Sequence, residues 1–187
     1  AGISFVGTGN TCAGSLVNIA STFAFTYLWN NSSTTQNIST NTTGNYSCTL
    51  TSINSCSLLS NSLTVNDITP IDYTLSAGGS YCSSPGTGLE LTLSNSQLNV
   101  NYQLCLNGTT LTGPIVAGTG LPISFGYVTG SGNYKAVANS TIGTCVDTMS
   151  GTASVSMILA SIYYRDFDLD GFGDPLITFN ACSAPIG

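Results

Sequence analysis

The sequence contains no histidine and only two basic residues, Lys135 and Arg165. Charged residues make up 5% of its 187 positions, far below the roughly 25% usual in globular domains. Each absence removes a class of function. Phosphate recognition needs clustered Lys and Arg, so neither nucleic acid nor an anionic membrane surface is an expected partner. Without histidine, the common acid–base and Ser-His-Asp arrangements are unavailable. The acids outside the C-terminal stretch, Asp67, Asp72, Glu90 and Asp147, are scattered rather than paired for glycoside chemistry. The chain therefore reads as non-catalytic. No apolar run approaches the roughly 18 residues of a membrane span. Ala1-Gly2-Ile3-Ser4 lacks the basic region and apolar core of a signal peptide, which suits either a chain from which one has been processed or a fragment internal to a longer chain.

Ser, Thr, Asn and Gly stand where charge is missing, a composition suited to β-rich extracellular domains. Seven cysteines without histidine argue against zinc and for an oxidising compartment. The odd number leaves at least one cysteine without a partner. Strand patterns recur: Leu89, Leu91 and Leu93 alternate with polar residues, Tyr102, Leu104 and Leu106 alternate with Gln103, Cys105 and Asn107, and Ala153, Val155, Met157 and Leu159 alternate with serine up to Ile158. Pro85-Gly86, Asn107-Gly108, Gly113-Pro114 and Gly130-Ser131-Gly132 mark turns. No helical periodicity is evident. An all-β chain of antiparallel sandwiches follows.

The sequence also repeats. A first unit carries Cys12, Tyr27, Gly44-Asn45-Tyr46 and Cys56; a second carries Cys82, Tyr102, Gly132-Asn133-Tyr134 and Cys145. The interval between the two tyrosines is 19 residues in the first and 32 in the second, so the second holds an insertion. These intervals predict sandwiches over 1–67 and 68–160, followed by a short irregular segment over 161–187.

That last segment concentrates the acid. Four of the eight acidic residues fall between Asp166 and Asp174. Asp166, Asp168, Asp170, Gly171, the carbonyl of Phe172 and Asp174 match positions 1, 3, 5, 6, 7 and 9 of an oxygen-lined calcium loop. Ile177 replaces the closing Glu, and Pro175 argues against an exiting helix. Carboxylates this close repel one another by about 1 kcal/mol per pair at 4 Å in water. Only Arg165 is near to relieve that, so a divalent cation is the economical partner. Oxygen-only ligands favour calcium.

Asp166-x-Asp168-x-Asp170-Gly171-x-x-Asp174 with Cys182 resembles the thrombospondin type 3 calcium repeat. With Tyr163-Tyr164 before it, it resembles the acidic segments of secreted multidomain proteins of the Bacteroidota. The resemblance implies calcium bound without flanking helices. Tyr27-Leu28-Trp29-Asn30 with Gly44-Asn45-Tyr46, and Gly79-Ser80-Tyr81-Cys82 with Asn101-Tyr102-Gln103-Leu104, resemble immunoglobulin-like repeats of large Bacteroidota surface proteins, including gliding-motility adhesins. That implies secretion, attachment at the cell surface and a structural or adhesive role, with calcium stiffening the C-terminal linker. Expected partners are other domains of the same long chain, surface glycans or copies of the chain itself. Two other readings remain. A carbohydrate-binding module would use exposed aromatics among Trp29, Tyr73, Tyr127 and Tyr163. A self-polymerising fibre subunit would leave a terminal strand unpaired, and residues 1–7 are the candidate.

Corresponding positions in the repeat predict disulfides Cys12–Cys56 and Cys82–Cys145, each worth about 3–4 kcal/mol. An antibody-like Cys, Trp, Tyr-x-Cys pattern would instead pair Cys12 with Cys48. Position 48 corresponds to Ala136, so Cys48 reads as a small buried apolar residue. One geometric difficulty attends the first pairing: if Cys12 lies in the turn between the first two strands, the last hairpin is at the opposite end. Cys105 is expected to be exposed or covered by an edge segment, and Cys182 to pair outside this chain. Tyr46 and Tyr134 are candidate tyrosine corners or ordinary core residues. Asn-x-Ser/Thr occurs at Asn30, Asn31, Asn37, Asn41, Asn45, Asn107 and Asn139. Asp147-Thr148-Met149 resembles the Bacteroidota O-glycosylation motif, with Thr148 as the acceptor.

Overall fold

Alternating apolar and hydroxylated residues have one economical use, a strand with one face in a core. The computed structural model describes residues 2–166 and 171–184, and among them it contains strands and no helix. The chain divides into two units, Ala1–Pro70 with Ser140–Cys145, and Ile71–Asn139 with Val146–Gly187.

The first unit contains β1 (Ile3–Val6), β2 (Asn10–Thr11), β3 (Val17–Ser21), β4 (Thr26–Trp29), β5 (Asn37–Thr40), β6 (Gly44–Tyr46), β7 (Cys48–Thr51), β8 (Ser57–Leu59) and β9 (Leu63–Asp67). One layer has the order β1-β3-β5; the other is built from β2-β9-β6 and β4-β7-β8. Between them lie Val17, Ile19, Trp29, Ile38, Cys48, Leu50 and Val65. Each fully buried Val, Leu or Ile contributes roughly 1.5–3 kcal/mol. The Trp29 indole N–H, enclosed at 1% exposure, donates to the Thr35 carbonyl at 2.8 Å, so its burial leaves no donor unsatisfied. The first strand, which a fibre subunit would leave unpaired, pairs with β3 from Ile3↔Ser21 to Val6↔Asn18.

The second unit contains β10 (Gly78–Cys82), β11 (Leu89–Leu93), β12 (Val100–Leu106), β13 (Thr110–Ala117), β14 (Ile123–Val128), β15 (Gly132–Ser140), β16 (Val146–Thr148) and β17 (Ala153–Ile158). The larger sheet runs β10-β17-β15-β12-β13, with β16 also on β15, and β11 pairs β14 opposite. Leu91, Leu93, Tyr102, Leu104, Phe125, Tyr134 and Val155 fill the core. The insertion inferred from tyrosine spacing is strand β13. Asn107 and Gly108 both have positive φ, 51° and 76°, as the tight β12–β13 hairpin turn requires.

Both units are β-sandwiches, but neither is purely antiparallel. β2 runs parallel to β9, and β10 parallel to β17. In the first unit the chain leaves β1 in one layer and enters the other as β2, beside the last strand and in the same direction. The pattern expected to run inward to Leu159 also stops early. Ala153 and Val155 are buried, whereas Met157 and Leu159 are exposed.

The Gly-Asn-Tyr repeat has the same physical role in each sandwich. Gly44 and Gly132 have φ of 144° and 149°. Asn45 Oδ1 accepts from Thr64 Oγ1 at 2.7 Å, and Asn133 Oδ1 from Ser154 Oγ at 2.7 Å. Each of these bonds ties the strand to its neighbour. Tyr46 Oη donates to the Thr42 carbonyl at 2.9 Å, and Tyr134 Oη to the Gly130 carbonyl at 2.8 Å. Both tyrosines are corners. A Cβ on Gly130 would lie 2.7 Å from Tyr134 Oη, which explains glycine there. Burial pushes the Tyr134 phenol above its ordinary pKa, and the neighbouring Tyr81 adds to this. Tyr134→Phe leaves the Gly130 carbonyl without its donor and is expected to lower stability by about 1–3 kcal/mol. Chemical denaturation with unchanged circular dichroism before the transition checks this.

The cysteines pair differently from expectation. The bonds are Cys12–Cys145 and Cys82–Cys182, with Cα–Cα distances of 5.5 and 5.7 Å. Cys56 is free and exposed; Cys48 and Cys105 are free and buried. The reason is strand length. Thr11 pairs with Asp67 at the end of β9, whereas Cys56 precedes Ser57, ten residues earlier on the same return path. At about 3.3 Å per residue that is up to about 30 Å, far beyond the roughly 7 Å a disulfide spans. Cys82 likewise pairs in register with Ile158, thirteen residues after Cys145. The repeat correctly matches the positions, but those positions lie at opposite poles of a sandwich. Nor does Cys182 wait for a partner outside the chain. Burial also pushes the Cys48 thiol above its ordinary pKa, which depletes thiolate. Brief iodoacetamide treatment of the native protein is expected to label Cys56 and to leave Cys48 unmodified until denaturant is added, as read by peptide mass spectrometry.

Candidate functional site

The segment over 161–187 is not wholly irregular chain. Its flanks form β18 (Ser161–Arg165) and β19 (Asp174–Ala181), an antiparallel hairpin with Ser161↔Ala181, Tyr163↔Phe179 and Arg165↔Asp174 in register. The acids occupy the connection. Asp166 and Asp174 stand at its two ends. Asp168 and Asp170 lie outside the described residues.

Two glycines shape the turn. Gly171 has φ of 89°, in the left-handed region that L side chains rarely adopt. Gly173 comes so close to the opposite strand that a Cβ there would lie 2.3 Å from Tyr164 Cβ and 2.8 Å from its carbonyl oxygen. The first glycine holds the turn position of the calcium motif; the second is required by contact across the hairpin.

Among the described residues, Asp166 is held from one side. Its Oδ2 accepts from the Gly171 amide at 3.0 Å. Its Oδ1 is buried and has no hydrogen-bond partner among the described residues. Leaving a carboxylate oxygen dry and unpaired costs more than the roughly 1–3 kcal/mol of a neutral group. A cation coordinated at that oxygen removes the cost. Asp174 Oδ1 accepts from the Leu176 amide at 2.8 Å, and Phe172 is 81% exposed. A carboxylate oxygen is a hard donor, suited to calcium rather than to a soft metal. Among the described residues, no three His, Cys, Asp or Glu side chains converge.

The remaining acids are engaged elsewhere. Hydrogen bonds from the Thr69 hydroxyl and amide hold the Asp67 carboxyl below its usual range. Asp72 accepts from the Ser150 amide at 2.6 Å, and Glu90 from Ser124 Oγ at 2.6 Å. Asp147 accepts from the amide of Thr148 at 2.7 Å. Thr148 itself is exposed on β16, with Met149 buried behind it.

The aromatic candidates do not share one role. Trp29 belongs to the first core, and Tyr73 packs against the second. Tyr163 is half-buried on β18. Tyr127 on β14 is 66% exposed. No helix among the described residues is long and apolar enough to cross a membrane.

No protein-family model and no curated protein sequence matches the chain. Solved structures align with it at low identity. Murine CEACAM1b aligns with 84% of this chain and 99% of its own, at 11% identity and a TM-score of 0.46. The human OSCAR ligand-binding domain covers 82% and 96%, at 11% identity and a TM-score of 0.40. The fibronectin(III)-like modules of Clostridium thermocellum CbhA cover 83% and 94%, at 13% identity and a TM-score of 0.38.

Proposed function

We propose that the chain is a non-catalytic structural and adhesive segment of a secreted, cell-surface protein, and that the turn between β18 and β19 binds calcium. The ligands would be Asp166, Asp168, Asp170, Asp174 and the carbonyl of Phe172. The observation that carries the calcium reading is the buried, unpartnered Oδ1 of Asp166, in a turn whose Oδ2 is already satisfied by Gly171. Two disulfides suit an oxidising, extracellular compartment. The paucity of charge and the absence of histidine favour a mechanical role over a chemical one. The ion would tie together the ends of two strands in a hairpin, not an extended linker.

Calorimetric titration of the 187-residue chain tests this. Saturable uptake with Kd of order 10⁻⁴–10⁻³ M, the range of extracellular calcium modules, is the expected result. A flat isotherm up to tens of millimolar calcium would remove the reading.

A further inference from the structure

Strands β18 and β19 form a two-stranded sheet of their own, and no residue of either strand is buried. Ile162, Tyr164, Leu176 and Ile177 all face solvent. An isolated two-stranded hairpin is marginal in water, so the order of this one has to come from its ends. At its base, Cys182 follows β19 directly and is bonded to Cys82. The Ser83 amide donates to the Ile158 carbonyl at 2.9 Å, and the Ala160 amide to Ser83 Oγ at 2.9 Å, fixing the chain just before β18. At its tip stands Asp166 with its unpartnered oxygen. The disulfide clamp and the candidate ion site thus lie at opposite ends of an element that lacks a core.

We infer that the Cys82–Cys182 disulfide and the calcium turn are thermodynamically coupled through the order of this hairpin, so that the redox state of the bond sets calcium affinity. The inference rests on the calcium reading above and adds its regulation. With the base clamped, part of the entropy of ordering the two strands is removed before the ion arrives. With the bond open, the ion must order the whole hairpin, and its affinity falls. Linkage makes the effect reciprocal: calcium disfavours opening of the bond by the same factor. Cys12–Cys145 closes a different part of the chain and is an internal control.

Two measurements on the full chain test the coupling. In the first, calcium is titrated into the wild type and into C82S/C182S. Affinity is expected to fall about ten-fold in the variant, within the roughly 5–150-fold range of allosteric couplings. Amide exchange in β18 and β19 should become faster, while β12 and β15 stay protected. The second needs no substitution and therefore does not depend on the variant folding. The wild type is equilibrated with dithiothreitol, which gives two electrons and two protons to the Cys82–Cys182 bond and closes to its own cyclic disulfide. The two resulting thiols are alkylated and counted by mass spectrometry. Saturating calcium is expected to shift the equilibrium constant for opening Cys82–Cys182 by that same factor and to leave that of Cys12–Cys145 unchanged. Calcium binding by the wild type with no change in this equilibrium would overturn the coupling alone. A flat calcium isotherm in the wild type would overturn the calcium reading and the coupling with it.

Discussion

Asp166→Asn is expected to abolish measurable calcium uptake while leaving the fold unchanged. The substitution preserves shape, and the Asn carbonyl oxygen can still accept from the Gly171 amide, the bond now made at 3.0 Å. It removes the negative charge and puts an NH₂ group where a buried oxygen now has no partner. Removing one member of a buried ionic contact typically costs about 3–5 kcal/mol, which is a loss of 100-fold or more at 1.4 kcal/mol per decade. A site starting at 10⁻⁴–10⁻³ M then passes beyond the reach of calorimetry. Asp147→Asn, on an acid that accepts from the Thr148 amide far from the turn in sequence, should bind calcium as the wild type does. Equal affinity in wild type and Asp166→Asn would show that the buried oxygen is no ligand.

The second large effect belongs to the first unit. C12S/C145S is expected to destabilise it by about 4–5 kcal/mol. The bond spans 133 residues, and chain-entropy arguments give about that value for loops of a hundred residues or more. This is comparable to the whole net stability of a small domain, about 5–15 kcal/mol. Trp29 is the only tryptophan in the chain and lies in the core of this unit, so its fluorescence in a urea titration reports this unit separately. Cys56→Ser supplies the contrast. Cys56 is free and exposed, and its replacement should change stability by less than about 0.5 kcal/mol. A Cys56→Ser variant as unstable as C12S/C145S would restore the pairing inferred from the repeat.

Those two cysteines show where sequence reasoning stops. The correspondence of Cys12 with Cys82, and of Cys56 with Cys145, holds in space: the first pair closes equivalent short strands, β2 and β10, and the second pair occupies the turn before the return path of each sandwich. The inference of bonds inside each repeat assumed that equivalent residues near the two ends of a unit are also near each other. Ten or more residues of return path, β8 and β9 in the first unit and β16 and β17 in the second, separate them instead. Tyr46 and Tyr134 behaved differently, because the corner bond reaches only four residues upstream and local spacing suffices to suggest it. The same distinction holds in the acidic turn. Asp166 and Gly171 could be read from the motif, while the need for Gly173 comes from contact with Tyr164 across the hairpin.

The sequence by itself determined the all-β class, the two-fold repeat and the place where acid collects. Period-two alternation, turn residues and charge density are properties of neighbours along the chain. Tertiary structure alone decided that β2 and β10 run parallel to the strands they join, that Ser140–Cys145 belongs with the first unit, and that the acidic segment is a hairpin clamped by Cys82. Each depends on which distant segments are brought within a few ångströms of one another. No local pattern encodes that, because the same alternation serves a strand equally well in either direction and beside any partner.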